Sequence, residues 1–129
     1  MPTCRTAFII NIAALDEKQV FEVENQIGVL AGVTDNYLYY GMKKRSTHGN
    51  FSLNDALNET LSIIYDKQDL LKKLTTIYNI SYMVDVHFSD IEEEIYNNTS
   101  FIVDEKIQRF IKEINAYYNL QNGYFEEEA

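Results

Sequence analysis

Asp85 and His87 are the two residues of this 129-residue chain that come closest to a catalytic or metal-binding pair. They alternate with apolar residues in ISYMVDVHF (80–88), so a strand would place both side chains on one face, about 7 Å apart. Together with a carboxylate from the acidic segment that follows, they could act as a base or as metal ligands. The alternative, which we favour, is that they line a solvated sheet face.

The other nucleophilic or basic candidates lack partners in the sequence. Cys4 is the single cysteine, so no internal disulfide can form, and it lies before the expected core with no evident base. His48 falls in STHG (46–49), which does not resemble a nucleophile elbow. There is no dinucleotide-binding fingerprint, P-loop or H-E-x-x-H motif. We therefore predict a protein that is not an enzyme, with no catalytic residue, metal or cofactor.

A basic cluster at Lys43, Lys44 and Arg45 holds three of the eleven basic residues. It could bind a phosphate or a nucleic acid, or it could be the solvated bend between two strands. The net charge of −9 argues against a polyanionic partner, because duplex binding depends on many basic side chains. We predict the solvated bend, and we expect no nucleic acid as a partner.

Acidic runs at 90–94 and 126–128 can be solvated surfaces, or they can form a patch that attracts a basic partner. The loop lacks the spacing of an EF-hand calcium site. Tyrosines are frequent in protein interfaces, and the chain has ten of them. The candidate partner surface therefore consists of Tyr40, Asp90, Glu92, Glu93, Glu94 and Tyr96.

The bulk composition predicts one α+β domain over residues 1–129, with a frayed tail at 126–129. A hydrophobic fraction of 46% suffices for an ordinary core. The apolar run near the N-terminus fits a strand better than a signal peptide, and no stretch reaches the roughly 20 apolar residues of a membrane span. We therefore expect a cytoplasmic protein with no membrane partner.

The pattern of elements predicts a β-α-β-β-α-β-α-β order. Strands are expected at 7–14, 37–42, 51–53 and 80–88, with a last strand in AYYNL (116–120). Helices are expected after the capping residues Asp16, Ser52 and Asp104, and the helical stripe over 53–78 is either one helix or two that meet near residues 66–67. This order predicts a mixed sheet with helices on one face: a ferredoxin-like βαββαβ core plus an added helix and strand.

Three segments resemble the bacterial domain-of-unknown-function family 4279. They are ALDEKQV with a helix ending in IGV, the GMKKRS…GNFSL segment before the leucine-rich helix, and NTSFIVDEKIQRFIKEINAYYNL. The resemblance covers most of the chain, although a proline after the first helix and a tryptophan at the place of Phe51 are missing. It implies a small cytosolic bacterial protein with no catalytic residues to carry over. Some family members look like immunity partners of secreted toxins.

Three functions stay open at this point. The leading hypothesis is a non-enzymatic, immunity-type protein that occludes a basic protein such as a toxin. The alternative is a small-molecule-binding or regulatory module with its site between sheet and helices. The third is an enzyme that uses Asp85, His87 and a loop carboxylate.

Overall fold

The computed structural model describes residues 2–29, 31–49, 51–92, 94 and 103–122, and these form five strands and four α-helices. The strands are β1 (Thr3–Asn11), β2 (Gly32–Val33), β3 (Tyr37–Ser46), β4 (Ser81–Ser89) and β5 (Tyr117–Asn122). The helices are α1 (Glu17–Ile27), α2 (Leu53–Leu61), α3 (Gln68–Ile77) and α4 (Glu105–Glu113). The tail predicted to be frayed lies outside the described residues. Within them, no helix has the length and apolar character needed to cross a bilayer.

The helices begin where the capping residues predict. The Asp16 side chain accepts from the Gln19 amide while the Gln19 side chain accepts from the Asp16 amide, a complete capping box for α1. Ser52 and Asp104 accept the corresponding backbone donors at the starts of α2 and α4. Gly28 ends α1 with φ of 71°, in the left-handed region that glycine adopts without strain.

The leucine-rich stripe forms two helices rather than one. After α2 a turn leads into a single 3-10 turn at Tyr65–Lys67, and α3 begins at Gln68. The break falls where the hydrophobic period weakens, as expected for helices that meet near residues 66–67. Of the side chains predicted for this stripe, Tyr78 is only half-buried. The others are buried on both sides of the break: Leu53, Leu57, Leu61, Ile64, Leu71 and Leu74.

The sheet order is β2-β3-β1-β4-β5, antiparallel except for the parallel pair β4–β5. The α+β class with a mixed sheet is therefore confirmed. The predicted strand at 51–53 is wrong, because Ser52 caps a helix that already begins at Leu53. The second short strand is instead β2, which pairs with Leu38 and Tyr39.

One face of the sheet packs against the described helices. The ring of Phe8 on β1 lies 6.4 Å from the ring of Phe110 on α4, and Thr6 shares a 2.6 Å hydrogen bond with Thr60 on α2. The Tyr82 hydroxyl donates to the Leu71 carbonyl of α3 at 2.6 Å. The opposite face carries Arg5 and its cross-strand neighbour His87, because paired residues of antiparallel strands point to the same side.

A bulge in β3 changes which side chains face the helices. Phe8 pairs with Tyr40, whereas Thr6 pairs with Lys43, so β3 has one more residue than β1 over this stretch. Gly41 adopts φ of 62°, and a Cβ there would overlap the backbone carbonyl oxygen of Thr60 on α2. Glycine is therefore required at position 41, both for the backbone angle and for the close approach of α2.

Replacing Gly41 tests this requirement, with Gly49 as the matched control. Gly41→Ala should lower the free energy of unfolding by about 2–5 kcal/mol, because the left-handed backbone and the overlap with Thr60 both cost stability. Gly49 has φ of 71° and open space where the methyl group of an alanine would lie, so Gly49→Ala should cost about 1–2 kcal/mol. Urea unfolding measures both; equal losses would contradict the close contact at Gly41.

Candidate functional site

The basic cluster lies in strand β3 rather than in the bend that we predicted, and Lys43 and Lys44 are exposed to solvent. Beyond the bulge, Lys43 and Arg45 point to the helix side, where both pair with Glu59 of α2. The Arg45 guanidinium lies 2.7 Å from the Glu59 carboxylate. The hydrogen bond from Lys43, followed by that from Arg45, holds the pKa of Glu59 below its usual range. Lys43 and Arg45 are thus engaged within the fold.

Asp85 and His87 are buried, which corrects the prediction of a solvated sheet face. They expose only 3% and 7% of their surface. Asn119 on β5 donates to Asp85 Oδ1 at 2.8 Å, and Arg5 on β1 lies 3.7 Å from Asp85 Oδ2. Polar side chains from both neighbouring strands therefore surround the carboxylate, and sequence periodicity alone does not reveal them.

The tautomer of His87 follows from its contact with Arg5. A guanidinium only donates hydrogen bonds, so His87 Nδ1, 3.1 Å from Arg5 Nη2, must be the acceptor. The ring proton of neutral His87 is then on Nε2.

In the described part of the chain, no three His, Cys, Asp or Glu side chains come together as a metal site would need.

Cys4 is a core residue, although we expected it outside the core. It exposes 1% of its surface, and burial raises the pKa of its thiol to about 12. The thiolate that would act as a nucleophile is therefore strongly disfavoured at neutral pH.

A groove with a volume of about 480 Å³ lies at the end of the sheet where β1 begins and where β3 and β4 end. We call it the sheet-end groove. Its apolar lining comes from Pro2, Phe51, Phe88 and Ile91. Its polar lining comes from Thr47, His48, Asp90 and Glu92. The groove thus combines an aromatic floor with two exposed carboxylates.

Local structure fixes the groove residues in place. The Phe51 and Phe88 rings meet edge to face with centroids 6.3 Å apart, and Phe88 is almost fully buried. Asp90 turns the chain away from β4 with φ of 61°, a left-handed conformation that aspartate tolerates better than most residues. The Ile91 carbonyl then accepts from Asn122 of β5 at 3.4 Å, which ties the acidic segment to the sheet.

A second depression of about 380 Å³ adjoins the groove and shares His48 and Phe51 with it. Its further lining includes Asp55 and Glu59 of α2, together with Arg45. Carboxylates therefore lie on both sides of the shared His48–Phe51 wall.

The predicted partner surface is only partly assembled by the structure. Asp90 and Glu92 line the groove. Glu94, two residues after Glu92, is exposed but is not part of the groove lining. Glu93 and Tyr96 lie outside the described residues. Tyr40 cannot be a surface anchor, because it faces the helices and exposes 1% of its surface.

The apolar groove residues were missed by sequence reasoning. Phe88 and Ile91 flank Ser89 and Asp90 in HFSDIE (87–92), so the alternation of apolar and acidic residues was the available signal. The contribution of Phe51 had no comparable local signal, because it arises from the turn that joins β3 to α2.

A third depression of about 450 Å³ lies where α3, β4 and β5 meet, at the margin between sheet and helices. A small-molecule-binding module would have its ligand site in such a position, between the sheet and the helices. Its lining among the described residues contains no charged side chain: Thr75, Ile80, Ser81, Tyr82, Ile114, Asn115, Ala116 and Tyr117. Nothing in it selects a charged metabolite.

Comparison with protein-family models, curated proteins and solved structures finds no match to this chain. The resemblance to family 4279 therefore stays a prediction, and the groove must be interpreted from its own chemistry.

The buried hydroxyl groups of Tyr40 and Tyr82 should contribute oppositely to stability, which can be tested by replacing each residue with phenylalanine. The Tyr40 hydroxyl is buried with no hydrogen-bond partner in the described structure, and burial raises its pKa to about 12. Tyr40→Phe should therefore raise the free energy of unfolding by about 1 kcal/mol. Tyr82→Phe removes the bond to Leu71 and should lower it by about 1–2 kcal/mol. Denaturant unfolding measures the stability of both variants. Equal destabilisation would mean that the Tyr40 hydroxyl has a hydrogen-bond partner.

Proposed function

We propose that this chain is a non-enzymatic, cytoplasmic bacterial protein of the immunity type, which occludes a basic protein partner, such as a toxin, through the sheet-end groove. The observation that carries the proposal is the pairing of an apolar floor with the exposed carboxylates of Asp90 and Glu92. Protein interfaces combine such apolar centres with charged margins.

The distribution of charge supports a basic partner. The chain has a net charge of −9, and complementary potential speeds the encounter with a cationic surface. Lys43 and Arg45 share the carboxylate of Glu59, which offsets one of their two positive charges. The resemblance to family 4279, some of whose members look like immunity proteins, points in the same direction.

The chemistry expected of the rival enzyme is less well supported. Both oxygens of Asp85 lie near side-chain nitrogens of neighbouring strands, and Nδ1 of His87 accepts from Arg5. Neither residue belongs to the linings of the sheet-end groove and its neighbouring depression. A general base needs an open approach for its substrate, and both residues are buried.

The finer fold prediction is also a proposal. The chain order β-α-β-β-α-β of the elements up to β4, counting α2 and α3 as one unit, supports a ferredoxin-like core. The complete order β2-β3-β1-β4-β5 differs from that of a four-stranded ferredoxin-like sheet, because β5 extends it beyond β4.

A paired charge reversal tests the proposed function. Products of the genes that neighbour this chain's gene are purified, and their binding to the full chain is measured by biolayer interferometry. Glu92→Lys should weaken binding of the basic partner at least about tenfold, equivalent to about 1.4 kcal/mol. Asp35 precedes the first residue of β3, at the end of that strand away from the groove. The control Asp35→Lys should therefore leave binding nearly unchanged.

Both variants change the net charge from −9 to −7, since a lysine replaces one acidic residue in each. Equal weakening by both would indicate attraction by net charge alone. No binding to any neighbouring gene product would contradict the immunity-type function.

A further inference from the structure

We infer that two copies of this chain pair through the sheet face that points away from the helices. The contact is a row of four uncharged side chains that crosses the sheet, and we call it the tyrosine strip: Tyr39, Ile9, Met83 and Tyr117. The strip lies toward the end of the sheet where β1 ends and β4 begins, whereas the sheet-end groove lies at the other end. The inference therefore goes beyond the proposed function and does not depend on it.

The register of the sheet places the four side chains on one face. Ile9 on β1 pairs with Tyr39 on β3 and with Met83 on β4. Met83 in turn pairs with Tyr117 on β5. Paired residues of neighbouring strands point to the same face, and successive residues of a strand point to opposite faces. Because Phe8 belongs to the core under the helices, Ile9 and the rest of the strip lie on the opposite face.

The strip presents aromatic and apolar surface to solvent. Tyr117 exposes 70% of its surface, and Tyr39 and Met83 are half-buried. Ile9 is almost covered by its neighbours, and the Tyr37 ring meets the Tyr39 ring edge-on at 6.2 Å. The open face of an antiparallel sheet is ordinarily polar, whereas tyrosine and methionine are enriched in protein interfaces. The strip is therefore a candidate protein contact.

The charge distribution makes a second copy a fitting occupant. Each copy carries a net charge of −9, so two copies repel each other where their charged surfaces meet. The strip itself has no charged member. On the same face, Asp85 exposes 3% of its surface and accepts from Asn119, and Arg5 lies four residues before Ile9 on β1. A basic partner would gain nothing from the strip through charge, whereas two copies would meet there without opposing like charges.

The order of residues along the strip matches its own two-fold image. A tyrosine lies on each outer strand of the row, and an apolar side chain lies on each central strand. A two-fold axis along the strands, between β1 and β4, places Tyr39 of each copy opposite Tyr117 of the other. The same axis places Ile9 opposite Met83. This is the self-complementarity that an isologous dimer requires, and sheets commonly pack face to face in such an aligned way.

Sedimentation equilibrium of the full chain tests the pairing. Between about 5 and about 500 μM the chain should form a dimer with a Kd of about 100 μM or tighter. Tyr117→Glu should raise this Kd at least about tenfold, because the dimer would bury a carboxylate without a partner.

Phe21→Glu is the matched control. Phe21 exposes 69% of its surface, close to the value for Tyr117, but it lies on α1, whose Val23 and Ile27 belong to the core on the other side of the sheet. Both variants change the net charge from −9 to −10, since one uncharged residue becomes acidic in each. Phe21→Glu should change the Kd less than about twofold, because its position lies outside the contact. Circular dichroism verifies that both variants fold.

A double variant tests which residues face each other. Tyr39 and Tyr117 are three strand spacings apart, about 14 Å, so opposite charges at these positions are too far apart for an ion pair within one chain. In the two-fold arrangement each new charge faces its opposite on the other copy. Tyr39→Lys combined with Tyr117→Glu should therefore dimerise at least about threefold more tightly than Tyr117→Glu alone.

Salt distinguishes this dimer from an association driven by charge. Raising the ionic strength from about 0.01 to about 0.1 M shortens the screening length from about 30 to about 10 Å. The Kd of the dimer should then fall at least about threefold, because the two copies repel each other less. Binding of a basic partner at the sheet-end groove should instead weaken.

A monomer over the whole concentration range would overturn the inference. Equal loss of the dimer in Phe21→Glu, no recovery in the double variant, or a dimer that salt weakens would overturn it too. A monomeric chain that binds a neighbouring gene product only while Tyr117 is intact would place a different protein on the strip, which also contradicts the pairing. None of these outcomes changes the Glu92-dependent binding that tests the proposed function, so the two proposals fail separately.

Discussion

The bulge at Gly41 is the constraint on which the charge distribution of this protein depends. Side chains alternate along a strand, so one extra residue reverses the face of every residue beyond it. Tyr40 and Lys43 therefore both point toward the helices. Without the bulge, Lys43 and Arg45 would lie on the other face, away from Glu59. The absence of a Cβ at position 41 also lets α2 approach closely enough to present Glu59.

The contact with Glu59 sets the local charge on the helix side of β3. Lys43 and Arg45 share the single carboxylate of Glu59, while the chain as a whole carries a net charge of −9. The β3 strand then runs on to Ser46, and the turn after it carries His48 and Phe51 into the groove with Asp90 and Glu92. The bulge thus determines on which face of the sheet Lys43 and Arg45 lie.

Much of the fold was predictable because its signals are local. Asp16, Ser52 and Asp104 are side chains that bond the backbone within one helical turn, so their effect can be recognised from neighbouring residues. The strict alternation in 80–88 likewise placed Tyr82, Val84 and Val86 in the core. These features require no knowledge of distant parts of the chain.

The errors concern contacts that only the tertiary structure creates. Tyr40 was expected on the surface, and its burial depends on the helices that cover β3. Asp85 was expected in solvent, but Arg5 and Asn119 reach it from strands that lie far away in sequence. Asp90 and Glu92 line the sheet-end groove, but the Phe51 ring beside them reaches it through the β3–α2 connection.

The pKa of the Glu59 carboxyl group tests the central claim most directly. Because its pKa is lowered in the folded state, ionised Glu59 stabilises the fold at neutral pH, and this stabilisation is lost as the pH falls through the lowered pKa. A ¹³C NMR titration of Glu59 should give a pKa below the ordinary glutamate value, and Lys43→Met should bring it back toward that value. An ordinary pKa in the unaltered chain, unchanged in Lys43→Met, would contradict the pairing and the account built on it.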